Sequence, residues 1–297
     1  MARRISIPLL ADLVIVDRPD DVQSMADHDA LDRRFVDTGP FLNRALAARI
    51  RHGLRVGHTR LPSALVREDA TRLAQADALS ERLVPGAWDE ASLRALAEFV
   101  EGRTRRPLGE LVQEAVGRLF KPNYVATKET WQAAQAMEAH LRSWNPITRI
   151  IADIRGELRN AQRVLSEGVA GDLAGVHATG IALHNLLPAM EQMRSDWRNQ
   201  ELRDDLSPMQ AAMRALEAPQ MVVRQATRPS DSIAGTLNEG TLVLLSTRKA
   251  GKYNADVSFL SNSWSRCPAD QLVPAMLAEI WRLATEPADQ AMQGEAA

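Results

Sequence analysis

The sequence predicts a mainly α chain with small β-sheets, an α+β fold in one domain spanning residues 1–297. Three observations carry this. Apolar residues recur at three- and four-residue steps from about residue 44 to about 170, in segments rich in Ala, Leu, Arg, Glu and Gln. After Pro219 the chemistry changes to short β-branched runs separated by turn residues. With 297 residues, 45% of them hydrophobic and 25% charged, the chain can bury a core without disulfide staples. There is no internal repeat and no low-complexity block.

Taken in order, residues 13–16 (Leu-Val-Ile-Val) read as a strand that stops at Asp17, Arg18 and Pro19. Asp20 is expected to cap a helix running to about Asp29. The helical body then covers about 20–219, with residues 91–100 and 108–119 its clearest amphipathic stretches. Pro85-Gly86, Gly102, Pro107, Lys121-Pro122-Asn123 and Asn145-Pro146 punctuate it. Residues 171–199 read as one long, rather apolar helix, even though Gly175, Gly180 and Pro188 lower its intrinsic stability. Ser207, Pro208 and Gln210 open the next helix. A small sheet follows at about 220–250, from strands near 221–227 and 241–246. A polar loop, 259–267, leads to a last helix from Leu272 to about Ala284, and the tail after Glu286 is expected to fray.

Charge and cysteine content narrow the function. The 36 Lys and Arg against 38 Asp and Glu leave a formal charge of −2, which excludes a strongly basic nucleic-acid binder. No apolar run is long enough to span a bilayer, and Asp12 and Asp17 interrupt the start that superficially looks like a signal peptide. A cytoplasmic protein with no membrane and no nucleic-acid partner is expected. The single cysteine, Cys267, rules out an internal disulfide and a multi-cysteine zinc site. Cys267 ends an irregular loop just before a helix. The free N–H groups and partial positive charge of a helix start would favour a thiolate able to ligate a metal. The alternative is a buried structural cysteine, the commoner fate of a free one.

Several segments, in the right order, resemble the cytochrome P450 family of haem-thiolate oxygenases. Cys267-Pro268 matches the family's cysteine loop. Leu260 or Phe259 takes the place of its Phe, Ser261 and Ser263 stand where its glycines go, and Ser265 replaces the His or Arg two before the cysteine, with Arg266 adjacent. Ala269 replaces a Gly, and Leu272-Val273 a Leu-Ala. Arg224 and the run Gly240-Thr241-Leu242-Val243 resemble the family's small sheet with its propionate-binding arginine. Ala174-Gly175-Val176-His177-Ala178-Thr179 resembles the motif of its long central helix. Gly57-His58-Thr59-Arg60-Leu61 resembles the opening of a helix that reaches the other propionate, and residues 17–22 the family's early turn.

The resemblance implies a shortened P450-like fold holding haem b, with Cys267 as the axial thiolate. It further implies Arg224 and His58 on the propionates and Arg266 near the cysteine. Gly175 would allow close approach, and His177, Ala178 and Thr179 would line the distal side. The substrate would be a small apolar organic molecule, and the oxidising equivalents would come from a separate electron donor or from a peroxide. Three departures bear on this. The glutamate of the family's Glu-x-x-Arg motif is replaced by Ala211, so Arg214 needs another partner, such as Glu217 or a backbone carbonyl. Ala178 cannot relay protons, although His177 can titrate near neutral pH; peroxide chemistry therefore fits better than standard monooxygenation. The chain also falls about a hundred residues short of the family's usual length. A partner subunit or homodimer is expected to complete the lid. His177 and His184, seven apart, would share one helix face, where both could equally be core residues. The alternatives are a catalytically degenerate P450-like protein that binds haem or a partner without turnover, and an unrelated helical protein in which Cys267 is inert.

Overall fold

The computed structural model describes residues 2–142, 155–252 and 254–286. Asn145-Pro146 and the tail after Glu286 lie outside the described residues. Strands β1 (Arg3–Ile7) and β2 (Ala11–Val16) lead into α1 (Pro19–Ala26), β3 (Leu31–Asp32), α2 (Phe41–Gly53) and a hairpin of β4 (Arg55–Val56) and β5 (Thr59–Arg60). A short 3-10 turn, Pro62–Ala64, precedes α3 (Ala70–Arg82), α4 (Glu90–Glu101), α5 (Leu108–Arg118), α6 (Lys128–Arg142), α7 (Glu157–Gly168) and α8 (Leu173–Gly180). After a second 3-10 turn, Ala182–Asn185, come α9 (Leu186–Arg198), α10 (Gln200–Asp205) and α11 (Pro208–Ala215). Strands β6 (Val222–Ala226), β7 (Ser230–Ser232), β8 (Gly235–Leu237) and β9 (Leu242–Leu245) are followed by α12 (Thr247–Ala250), α13 (Ala255–Phe259) and α14 (Leu272–Thr285).

The helix ends are written in the sequence. Asp69, Asp89 and Asp172 accept backbone N–H bonds as N-caps of α3, α4 and α8. Ser207 and Gln210 form a reciprocal capping box on α11, with Pro208 in its first turn. Gly102 closes α4 at φ 79°, a conformation that costs other residues energy. The start of α1 differs from expectation: the helix begins at Pro19, and Asp20 and Asp21 lie inside its first turn, where they complement the macrodipole without capping it.

The largest core packs α4, α5, α9, α11 and α14 around the fully buried Trp281. The sheet has the order β1-β2-β9-β6-β3. Thus the sheet expected at 220–250 is completed by N-terminal strands, with β2 parallel to β9 and β3 antiparallel to β6. Val14, Val16, Val243 and Leu245 point from adjacent strands into a second core beneath it. The edge where α2 meets the sheet is tight: a Cβ on Gly240 (φ +84°) would come within 2.5 Å of the Gly39 backbone. Asn43 locks that junction by donating to the carbonyls of Asp12 (2.7 Å) and Gly240 (2.8 Å).

The long helix expected at 171–199 is instead two helices, α8 and α9, with a break at Ile181 (φ −128°, ψ −56°). Pro188 explains the restart, because a residue lacking an N–H is tolerated in a first helical turn and disfavoured in an interior. Among the described residues no helix is long and apolar enough to cross a membrane.

Candidate functional site

The loop carrying Cys267 starts where α13 ends. Leu260 adopts a left-handed conformation (φ 52°) and sinks into the sheet core, turning the chain. The loop is closed where the Cys267 N–H donates to the Phe259 carbonyl at 2.9 Å. The helix after it does not begin until Leu272, so Cys267 lies outside the first turn that was expected to stabilise a thiolate. The half-buried sulfur receives the Ala269 N–H. Burial pushes the thiol up, aided by Asp270, and outweighs the opposing pull of the Ala269 N–H and Arg33. In the free chain Cys267 is a thiol.

Around the loop is a concentration of guanidinium groups. Arg224, on β6 and only 1% exposed, donates to Ser265 Oγ at 2.6 Å. Arg33, just after β3, donates to the Ser265 carbonyl at 3.0 Å. Arg72, on α3, donates to the Trp264 carbonyl at 2.7 Å. The Trp264 indole takes the guanidinium carbons of Arg33 and Arg67 at 5.1 Å and those of Arg72 and Arg224 at 5.5 Å. Among the described residues, no carboxylate pairs with the side chain of Arg33, Arg72 or Arg224. Asp32, the nearest acid by sequence, spends one oxygen on the backbone N–H groups of Arg33 and Arg67. Burial and neighbouring cations hold Arg33 down to about 10 and Arg224 well below its usual range. The Nε atoms of Arg224 and Arg67 and the indole nitrogen of Trp264 are buried without a partner.

The central-helix residues are dispersed. The Nδ1 of His177, on α8, lies 3.1 Å from Ser63 Oγ. Burial, with Arg33 second, holds the imidazole down to about 4, so it is neutral at pH 7. Thr179 faces the opposite side of the helix, as a spacing of two residues requires. Its hydroxyl donates back to the Gly175 carbonyl at 2.7 Å and its carbonyl accepts from Gln113 at 3.1 Å. Ala178 packs with Ala174 against the main core. At Gly175 an added Cβ would meet the Cβ atoms of Phe120 and Val169, each at 3.0 Å, so the close approach there is taken by the protein itself. His177, Ala178 and Thr179 therefore do not line one surface.

Two other expected residues lie apart from the loop's arginine cluster. His58 is exposed at the turn of the β4–β5 hairpin, with Gly57 at φ 59°, and does not open a helix. Arg266 is exposed and donates to Ser80 Oγ at 3.3 Å. His184 is separated from the His177 face by the helix break. It pairs through Nδ1 with Glu138 at 2.6 Å, and its Nε2 lies 3.3 Å from the Ala134 carbonyl. A groove of about 350 Å³ between Val56, Gly57 and α7 is lined partly by Arg159, Arg163 and Glu167 and does not include Cys267.

No model of a known protein family matches the sequence. No curated protein sequence matches it either. Solved structures do match in fold. The mycinamicin VIII methyl hydroxylase MycCI of Micromonospora griseorubida aligns over 100% of this chain and 86% of its own, at 12% identity and a TM-score of 0.60. The P450 enzyme CxnD, which forms a C–S bond in chuangxinmycin biosynthesis, aligns over 93% of this chain and 79% of its own at 12% identity and 0.56. CYP175A1 of Thermus thermophilus aligns over 96% and 83% at 16% identity and 0.55. This chain has the cytochrome P450 fold, in a shortened and divergent form.

Within that P450 fold, the residue that meets Arg214 is neither Glu217 nor a carbonyl. Arg214 donates to Asp196 on α9 at 2.9 Å, and Gln192 donates to the other Asp196 oxygen at 2.8 Å. Glu217 instead pairs with Arg248 at 2.7 Å. The P450 fold also implies a haem at the cysteine loop, and the donor set fits one. A free cysteine shares its loop with buried Arg224, whose Nε has no partner, and with half-buried Arg33 and Arg72, and none of these three is paired with a carboxylate among the described residues, as a group with two carboxylates would require. Sequence reasoning missed Arg33, Arg72, Trp264 and Asp196. The Arg33–Ser265 contact joins positions 232 apart, which no local spacing reveals.

Proposed function

We propose that this chain is a haem-thiolate oxidoreductase that takes its oxygen from a peroxide and acts on a small apolar organic molecule. The observation that carries this reading is the Cys267 loop, held by buried Arg224 and half-buried Arg33, which lack carboxylate partners among the described residues. Cys267 would hold the iron and Arg224 a propionate. Thiolate-ligated haem supplies O–O bond cleavage.

The choice of oxidant follows from the chain's own side chains. Reductive oxygen activation would need side chains on the distal side that can move protons. Neutral His177 is engaged with Ser63, the Thr179 hydroxyl is spent on its own helix, and Ala178 has no proton to move. A peroxide arrives with its oxygen already two electrons below O2: one oxygen goes to the substrate and the other leaves as water or an alcohol, so no external electrons are consumed. A second reading, a P450 fold that binds haem without turnover, draws support from Phe120 and Val169 filling the space at Gly175.

The test compares sulfoxidation of thioanisole, an apolar substrate that takes up one oxygen, by the haem-loaded chain with hydrogen peroxide and with NADPH plus a bacterial ferredoxin and its reductase. Peroxide-driven oxidation is expected to be the faster by about tenfold or more. Efficient NADPH-coupled oxidation would refute the choice of oxidant, and inactivity with both would favour the second reading.

A further inference from the structure

We propose that Arg33 and Arg72, acting with Arg224, form the clamp for the two carboxylates of the cofactor, in the role that the resemblance gives to His58. This rests on the haem reading above. The three arginines come from three separate elements, the segment after β3, α3 and β6, and converge on one loop. A guanidinium withdrawn from solvent is ordinarily paired with an acid, and neither buried Arg224 nor half-buried Arg33 and Arg72 has such a partner among the described residues. Each holds the loop through neutral acceptors only: Arg33 through the Ser265 carbonyl, Arg72 through the Trp264 and Arg67 carbonyls, and Arg224 through the Val223 carbonyl and the Ser265 hydroxyl.

A guanidinium offers five N–H donors in a planar fork. The described bonds use one such donor from Arg33 and two each from Arg72 and Arg224. The buried Nε of Arg224 is left with no partner. In the free chain the indole face of Trp264 is what these cations share. A π-face attracts a guanidinium more weakly than a carboxylate, which accepts two parallel N–H bonds. Trp264 thus stands in for the anion and keeps the arginines gathered. His58 and Arg266 cannot take this role from where they lie, one on an exposed hairpin turn and the other directed to Ser80.

The test titrates the full haem-free chain with haem and with haem dimethyl ester, which lacks both carboxylates. Binding is followed by Soret absorbance and independently by the shift in melting temperature. The unmodified chain is expected to bind haem about tenfold or more tightly than the ester. Arg33→Gln and Arg72→Gln should each weaken haem binding by roughly five- to tenfold and leave ester binding unchanged. His58→Ala and Arg266→Ala should change neither. Equal affinity for haem and ester overturns the clamp and leaves the haem reading standing. Loss of haem preference in His58→Ala but not in Arg33→Gln also overturns the clamp. Binding of neither compound overturns both. The comparison of acid with ester uses the unmodified chain, so it holds even if a variant fails to fold.

Discussion

Gly175→Ala decides whether the central helix leaves room for a ligand or is packed by its own chain. Two effects of opposite sign compete. Replacing a glycine inside a helix by alanine stabilises by about 0.5–1 kcal/mol through backbone entropy. Against this, the new methyl would lie 3.0 Å from Phe120 Cβ, 3.0 Å from Val169 Cβ and 3.1 Å from Val169 Cγ2. Two of those atoms are fixed directly to backbone, so rotamer changes cannot relieve them. The segment after α5 or the end of α7 must shift by a few tenths of an ångström. Overpacking of this kind costs about 1–3 kcal/mol. The net expectation is a loss of about 1–2 kcal/mol. Urea unfolding reads it as a lower midpoint with an unchanged m-value. A higher midpoint would mean that helix propensity wins and that the face of Gly175 is open, which would refute the packing described here.

Arg214→Met should lose about 1–3 kcal/mol, because it removes one of two donors from the buried Asp196 carboxylate; combining it with Asp196→Leu should recover part of the loss, and full additivity in a double-mutant cycle would show that the pair is not coupled. His177 is neutral in both the folded and unfolded states above its ordinary value of 6.5, so it then contributes no pH dependence. As pH falls toward about 4 the unfolded chain takes the proton first, and stability drops. The full shift would cap this at about 3 kcal/mol, and the partial exposure of the ring brings it to ~1–2 kcal/mol. His177→Gln should remove that part of the fall in urea unfolding between pH 7 and pH 4.5, and parallel pH profiles for the two proteins would contradict the burial of the imidazole. Ser207→Ala should cost about 1 kcal/mol by breaking the capping box on α11, and a thermal melt unchanged from the parent would count against it.

What the sequence discloses is what local physics decides. The strand at 13–16, the helix opened at Ser207 and Pro208 and the final helix from Leu272 are each specified by neighbouring residues and appear in the structure as expected. The break of the central helix has one local signal, Pro188, and one tertiary cause, the packing at Gly180. Pro188 sits in a first helical turn, and Gly180 packs so closely that a Cβ would come within 2.8 Å of Leu165 Cδ1 and 2.9 Å of Met137 Sδ. Apolar periodicity concealed that break because it continues through the 3-10 turn. His58 illustrates a different failure. The flanking Val56 and Thr59 pair across Gly57 and His58 as a two-residue hairpin, a signal that the family resemblance overrode. Arg33, Arg72 and Asp196 carry no such signal. The first two act on a loop 232 and 192 positions away, beyond any local window, and Asp196 meets Arg214 from a different helix 18 positions away.

The central claim is that Cys267 ligates haem iron through its sulfur. The most direct test is the carbon monoxide difference spectrum of the reduced, haem-loaded chain, recorded beside Cys267→Ala. The expected result is a red-shifted Soret band of the thiolate type in the parent and its loss in the variant. No Soret band in the parent after loading with haem would contradict the claim, and so would an unchanged band in Cys267→Ala.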